Sequence, residues 1–310
     1  MLLDPRLDRL KLGKWEVHTT SETMIFPKGL MGRALGYIDV WKNSFPAEET
    51  LAQREFGVPS LIIGLDCAPK DDNLGLYEIE ERPDGIGLSA IMDSGFRNRL
   101  IQAMFSWGER GRSPNVYAVI SPRKGVSDDF IWTNTALDSK ELDSGFVIVR
   151  AEPNEDDFFR FERSSISSVR QKGSRSYGVA LGLWKEISLE NLDSASWPKR
   201  FVLKPKQGGE THDILIWVDN TPNESNRKMK KMGTSTEHKI RHLLSIYGRM
   251  YIQEFIPPLL RGDGYVVYRL ILTFNPSQKC FEPLGGYWVG RRNFKIHGTP
   301  DSVFGPLVLA

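Results

Sequence analysis

Two cysteines in 310 residues, Cys67 and Cys280, are too few for a disulfide framework, and neither lies in a CxxC or Cys/His cluster of the kind that holds zinc. Both read as small buried apolar residues in a reducing compartment. An excess of one charge is also missing. The 41 basic and 39 acidic side chains leave a formal charge of +2, so no global field draws the chain onto nucleic acid or an anionic membrane. No window approaches the roughly 18 uninterrupted apolar residues of a membrane-crossing helix, and MLLDPRLDRLKLGKW lacks the apolar run of a secretory leader. The expectation is a soluble cytoplasmic protein with no nucleic-acid or membrane partner. Solenoid repeats are absent as well.

Histidine is scarce, at five residues. His238 and His242 stand i, i+4 in EHKIRH, the spacing of a helical zinc pair, but the HExxH glutamate and a third ligand are missing, so a solvated helix face is expected. His212 follows a glycine loop, where it can meet substrate or phosphate or simply be hydrogen-bonded within the loop; His297 reads as structural. The basic run NRKMKK has no interleaved aromatics and reads as a mobile loop. Tryptophans such as Trp184, Trp197, Trp217 and Trp288 lie in or near apolar segments and read as core.

What is present suits a protein with ample core: 40% hydrophobic and 26% charged residues exclude wholesale disorder, and the length favours two or three packed units. Residues 1–57, broken by Pro5, Pro27, Gly29, Gly32, Gly36 and Pro46, read as loops and short pieces. SLIIGLD and LGLYEIEE read as two strands of a hairpin turned at APKDDN. Residues 93–107 place Phe96, Leu100, Ile101, Met104 and Phe105 at helical spacing behind a cap at Asp93 or Ser94. NVYAVIS and GFVIVRAE read as short buried strands, with EPNEDDFFRFE and SSISS as a surface connection. Further on come two strands around a glycine loop (WPKRFVLKPKQGGETHDILIWV), an amphipathic helix in STEHKIRHLLSIYG, and the strand MYIQEFIPP. The hairpin YVVYRLILTF/CFEPLGGYWVGRR, turned at NPSQK, precedes an irregular tail.

Three places carry chemistry. Glu78 and Glu80 are two apart on a strand, hence on one face about 7 Å from each other, with Arg82 in phase and Asp66 ending the strand before. Such crowded carboxylates suit a hard cation such as Mg²⁺, or else form a solvated face neutralised by Arg82. Lys204 leaves an apolar strand just before Gln207, Gly208 and Gly209, a plausible phosphate cradle though not a Walker A loop. In MYIQEFIPP an extended backbone with apolar Ile252, Phe255 and Ile256 can wall an adenine while Glu254 accepts from a ribose hydroxyl or the exocyclic amine. Arg269 then interrupts the hydrophobic strand YVVYRLILTF, where it needs an anionic partner, either a phosphate or a structural carboxylate.

Taken in order, the lysine with its glycine loop, the QEF hinge and the arginine strand resemble the nucleotide site of ATP-grasp proteins. The carboxylate strand YEIEERPDGIG, which in most of that superfamily follows the arginine, comes early here. The chain thus resembles a circularly permuted ATP-grasp ligase, similar in order to the synthetase domain of glutathionylspermidine synthetase. The resemblance spans roughly residues 60–90 and 175–295. It implies an α/β (α+β) fold with a small accessory α/β unit: an N-terminal segment 1–92 carrying the metal hairpin, the unit 93–160, and a nucleotide-binding lobe with the arginine hairpin at 161–310.

It implies ATP and Mg²⁺ as cofactors, with Asp66, Glu78 and Glu80 as metal ligands; Glu80 stands where the family has an asparagine. Nucleotide contacts would come from Lys204, Gln207, Gly208, Gly209, Gln253, Glu254 and Ile256, with either Arg175 or Lys185 at the α-phosphate. Arg269, with Arg82 or Arg291, would stabilise the transferring phosphoryl group. No counterpart stands just upstream of Asp66 for the arginine that the glutathionylspermidine enzymes use at the reacting carboxylate. The implied activity is ligation of a carboxylate to an amine on a small molecule or peptide through an acyl phosphate. A small-molecule kinase and a nucleotide-binding protein without turnover are the alternatives. On this reading the early carboxylates and the late lysine serve one triphosphate.

Overall fold

The computed structural model describes residues 8–12, 15–44, 56–70, 72–80, 83, 85–110, 118–119, 159–160, 176–193, 197–205, 215–218, 221–224, 236–292 and 302–310. Within them the chain is mixed α/β and divides into two compact units, one formed by 1–38, 47–170 and 258–310, the other by 39–46 and 171–257. No helix among the described residues is long and apolar enough to cross a membrane.

The larger unit is built on one nine-stranded sheet. Its strands in chain order are β1 (Asp8–Leu12), β2 (Trp15–Thr19), β3 (Met24–Phe26), β4 (Ile62–Lys70) and β5 (Asn73–Glu80). The remainder, β13 (Leu259–Arg261), β14 (Gly264–Asn275), β15 (Cys280–Arg291) and β16 (Val303–Leu309), come from the far end of the chain. The spatial order is β1-β2-β16-β15-β14-β4-β5, with β13 on β14 and β3 on β16. All pairs are antiparallel except β16 with β2 and β3. The predicted β4–β5 and β14–β15 hairpins are both present. The first turns more tightly than expected, because Lys70 already pairs with Asn73. In the second, Asn275 Oδ1 accepts from the backbone N–H of Ser277 and Gln278, an Asx turn that reverses the chain.

Two expectations fail in this unit. Residues 28–43 are not a loop but helix α1 (Lys28–Asn43), and the tail is strand β16. Glycines 29, 32 and 36 look like helix breakers, yet each lies on an open side where even a Cβ would meet nothing within 4 Å. Leu30, Ala34 and Ile38 recur every fourth residue on the buried side, and that apolar stripe outweighs roughly 1 kcal/mol per glycine. In β16, Pro306 sits opposite Tyr287 within the ladder and does not stop the strand.

Helices α2 (Ile86–Met92) and α3 (Ser94–Arg110) follow β5. Asp93 Oδ1 accepts from the Gly95 N–H at 2.8 Å, so Asp93 caps α3 as its position predicts. Phe96, Leu100 and Trp107 are buried, and the Trp107 indole N–H donates to the Phe274 carbonyl, which binds α3 to the large sheet. Two short strands, β6 (Ala118–Val119) and β7 (Phe159–Arg160), pair in parallel. The expected strand GFVIVRAE and the SSISS connection lie outside the described residues.

The smaller unit has helix α4 (Ser176–Ala180) and strands β8 (Trp184–Ser188), β9 (Phe201–Pro205), β10 (Leu215–Val218), β11 (Thr221–Glu224) and β12 (Arg249–Glu254), with helix α5 (Thr236–Tyr247) before β12. The strands form an antiparallel sheet in the order β11-β10-β9-β12-β8. One face is apolar: Ile187, Phe201, Leu203, Leu215, Met250 and Ile252 pack with Ile240, Leu243 and Leu244 of α5. Gly248, at φ 70°, ends α5 in the left-handed conformation and its N–H bonds to Leu244 O.

Candidate functional site

On the large sheet, register decides which side chains meet, because residues directly opposite across an antiparallel pair share a face. From the turn up to Cys67–Leu76 the β4–β5 hairpin pairs without a slip; Tyr77 is then an extra residue, and Asp66 faces Glu78 while Gly64 faces Glu80. Without that bulge Asp66 would stand opposite Tyr77 and both glutamates would point away. The bulge therefore puts the three carboxylates on one face. Across β4, Asp66 is in register with Arg269 of β14, and Arg269 with Tyr287 of β15. One face thus carries a row Glu78, Asp66, Arg269, Tyr287, with Glu80 two residues along β5 and Arg291 four along β15 in the same phase.

The row is sheltered. Asp66 is 2% exposed, Glu78 7%, Glu80 8% and Arg291 5%. Arg269 donates through Nε and Nη2 to the two Asp66 oxygens, each at 2.5 Å, a bidentate fork. Its guanidinium carbon lies 5.8 Å from the Tyr287 ring centroid. Burial alone would lower the guanidinium pKa, but Asp66 first, then Tyr287 and Glu80, hold it well above the ordinary arginine value. Glycine makes room beneath: a Cβ on Gly64 would come within 2.7 Å of Pro83 Cβ and 3.6 Å of the Arg269 stem. A Cβ on Gly85 would sit 2.3 Å from the Tyr287 ring. Gly85, at φ 88°, is also the residue from which α2 starts.

In the smaller unit the face opposite α5 is polar and aromatic. Lys204 of β9 and Gln253 of β12 are 4% and 3% exposed, and the register places Trp184, Gln253 and Val202 in one row and Lys204, Tyr251 and Glu186 in the next. The Lys204 ammonium lies 4.8 Å from the Trp184 ring centroid. That ring also meets Tyr177 at 5.2 Å and Tyr251 at 6.0 Å between centroids.

No protein-family model matches the sequence, and no curated protein aligns with it. Among solved structures the fold is similar to a protein described as a gamma-glutamylcysteine synthetase from Methylobacillus flagellatus KT, at TM-score 0.43 and 10% identity over 89% of this chain and 84% of that one. It is also similar to a glutathione synthetase-like effector from Globodera pallida in its apo form, at TM-score 0.41 and 12% identity over 92% and 88%.

The structure brings Asp66, Glu78, Glu80, Arg269 and Arg291 onto one face, and Lys204 and Gln253 onto another in the smaller unit. Lys185 does not join Lys204: it pairs with Ile252 in the opposite phase and is exposed. Glu254 is exposed and Ile256 half-buried, while Ile252, expected as an adenine wall, belongs to the apolar core under α5. Arg82, Arg175, Gln207, Gly208, Gly209, His212, His297 and the NRKMKK run lie outside the described residues. His238 and His242 are exposed on α5. Cys67 is buried, but Cys280, at the first position of β15, is half-exposed, against expectation.

Among the described residues no group of three or more His, Cys, Asp or Glu side chains is close enough to cage a metal. Magnesium does not need such a cage: it commonly takes one or two carboxylates together with phosphate oxygens and water. Glu78 and Glu80, hard-oxygen donors two apart on one face, fit that role, and Asp66 keeps lone pairs beyond those that meet Arg269. Sequence reasoning missed Tyr287 and the Tyr77 bulge. The alternation Tyr287, Val289, Arg291 signalled the first, whereas nothing local to β5 signals the second.

Proposed function

We propose that the chain is an ATP-dependent carboxylate–amine ligase working through an acyl phosphate. The observation that supports it is the buried row Glu78–Asp66–Arg269 on one sheet face. Three desolvated carboxylates beside an arginine are hard to account for by stability alone, since an apolar row of equal volume is often as stable. Glu78 and Glu80 would hold Mg²⁺, which when bound neutralises phosphate charge. Lys204 would donate to a phosphate oxygen of ATP, and Gln253 would read the base from the strand that follows.

In the reaction, a substrate carboxylate oxygen attacks the γ-phosphorus, the bond to the ADP oxygen breaks and ADP leaves with its electron pair. An amine then attacks the acyl carbon, the bond to the phosphate oxygen breaks, inorganic phosphate leaves and the amine gives up a proton to solvent. Arg269, held in one orientation by Asp66 and Tyr287, would meet the charge on the transferring group without reorganising. Arg291, in phase on β15, would meet a second anionic group.

Glu78→Gln removes charge with little change of volume. It is expected to abolish magnesium-dependent ADP release while leaving the circular-dichroism spectrum and thermal midpoint near wild type; unchanged turnover would remove the metal assignment. The bidentate hold on both Asp66 oxygens favours one other reading, a nucleotide-binding protein without turnover. ATP binding by calorimetry with no ADP formed across a panel of acids and amines would select it.

A further inference from the structure

The face of the smaller unit that carries Lys204 holds an arrangement that nucleotide binding alone does not require. A lysine only 4% exposed is rare, and here its ammonium lies over an indole. Trp184 is itself buried, and its Nε1–H has no hydrogen-bond partner among the described residues. A donor buried without an acceptor is unfavourable, so the ring is not there for its N–H. What fixes it is its faces. Tyr177 and Tyr251 lie tilted against it, and Gly178 of α4 is pressed so close that a Cβ would come within 2.1 Å of the indole carbons. The indole is thus immobilised on several sides, and the Lys204 ammonium lies over it.

We propose that Trp184 is a positioning residue for Lys204: its immobilised ring helps to hold the ammonium in place before any anion arrives. A flexible lysine loses rotamer freedom when it grips a phosphate, and that loss weakens binding. Held over an indole, the side chain has already lost it. Trp184 touches no reacting atom in this proposal and acts only through Lys204. The functional consequence rests on the nucleotide reading above; the placement of the ammonium does not.

The test uses the full chain labelled with ¹³C-lysine, with the Lys204 methylene signals identified by their loss in Lys204→Arg. Because the side chain lies over a ring face, its Hε resonances are expected upfield of those of other lysines, without ligand. Trp184→Phe keeps a ring and drops the unpaired N–H; it should retain most of the shift and bind Mg-ATP within about threefold of wild type. Trp184→Leu should return the Lys204 signals to the ordinary position and weaken Mg-ATP binding up to roughly tenfold by calorimetry, the cost of immobilising one rotamer-rich side chain on binding. Lys204 signals unmoved in Trp184→Leu, or Mg-ATP affinity equal to wild type in that variant, would overturn the proposal. An upfield Lys204 signal in a wild-type chain that binds no ATP would instead sink the nucleotide reading and leave the placement standing. Trp184→Phe keeps the test decisive should Trp184→Leu fold poorly.

Discussion

The Asp66 carboxylate and the Arg269 guanidinium are both nearly dry, 3% and 11% exposed at the side chain, and neither tolerates the loss of the other. Removing one partner leaves a buried charge unmatched, at a cost of about 3–5 kcal/mol. Arg269→Met is therefore expected to lower stability by that amount in urea unfolding. Asp66→Leu combined with Arg269→Met should cost less than the sum of the two single changes, because the charge that each single change deprives of its main partner is then removed as well. Additive losses would show that the pair is not coupled. Arg269→Lys should recover little, since an ammonium cannot make both hydrogen bonds of the fork.

Among the elements, the segment entering α2 is held by sterics and by backbone conformation together. Gly85 combines φ 88° with the Tyr287 ring at its α-carbon, so Gly85→Ala meets backbone strain and an overlap together. A loss of about 2–4 kcal/mol in thermal or urea unfolding is expected. Adding Tyr287→Leu should return the part due to overlap and leave roughly 1 kcal/mol of strain; no recovery would mean that the ring is not the obstacle. These elements also show what can be read in advance. The two hairpins, α3 and α5 were legible because periodicity and turn residues are local, and so was the placing of Asp66, Glu78 and Glu80 on one sheet face. Helix α1 was hidden because glycines on an open helix side look the same in sequence as glycines that break a helix. The β16 strand was hidden behind Pro306. The bulge at Tyr77 was invisible for a different reason: one skipped pairing depends on which strands lie beside β4, and those come from 200 residues away.

For the molecule as a whole, buried phenols make an alkaline limit. Tyr77, Tyr37 and Tyr268 all have pKa values above the ordinary 10, chiefly through burial, with Cys67 adding to each and Arg33 or Arg261 partly opposing it in the last two. Burial likewise pushes the Cys67 thiol up, with Asp66 adding to it. A raised folded-state value means that above about pH 10 the unfolded chain has released protons that the native chain still holds. Stability is then full below that pH and declines as pH rises toward the native values. Ultraviolet titration at 295 nm should find part of the nine tyrosines ionising only together with unfolding. Simple ionisation of all of them near pH 10 with the fold intact would contradict the burial of these rings.

Strand β4 finds one neighbour, β5, within ten residues and the other, β14, only after some 200; Arg269 is 203 positions from the aspartate it grips. During synthesis the acidic hairpin therefore leaves the ribosome long before its counter-charge exists. A nascent chain halted before residue 264 would display β4 as an open edge carrying an uncompensated aspartate, a charge that discourages premature edge-to-edge pairing with other chains. The same carboxylate that waits for its arginine would thus act, for the span of translation, as the molecule's own guard against aggregation.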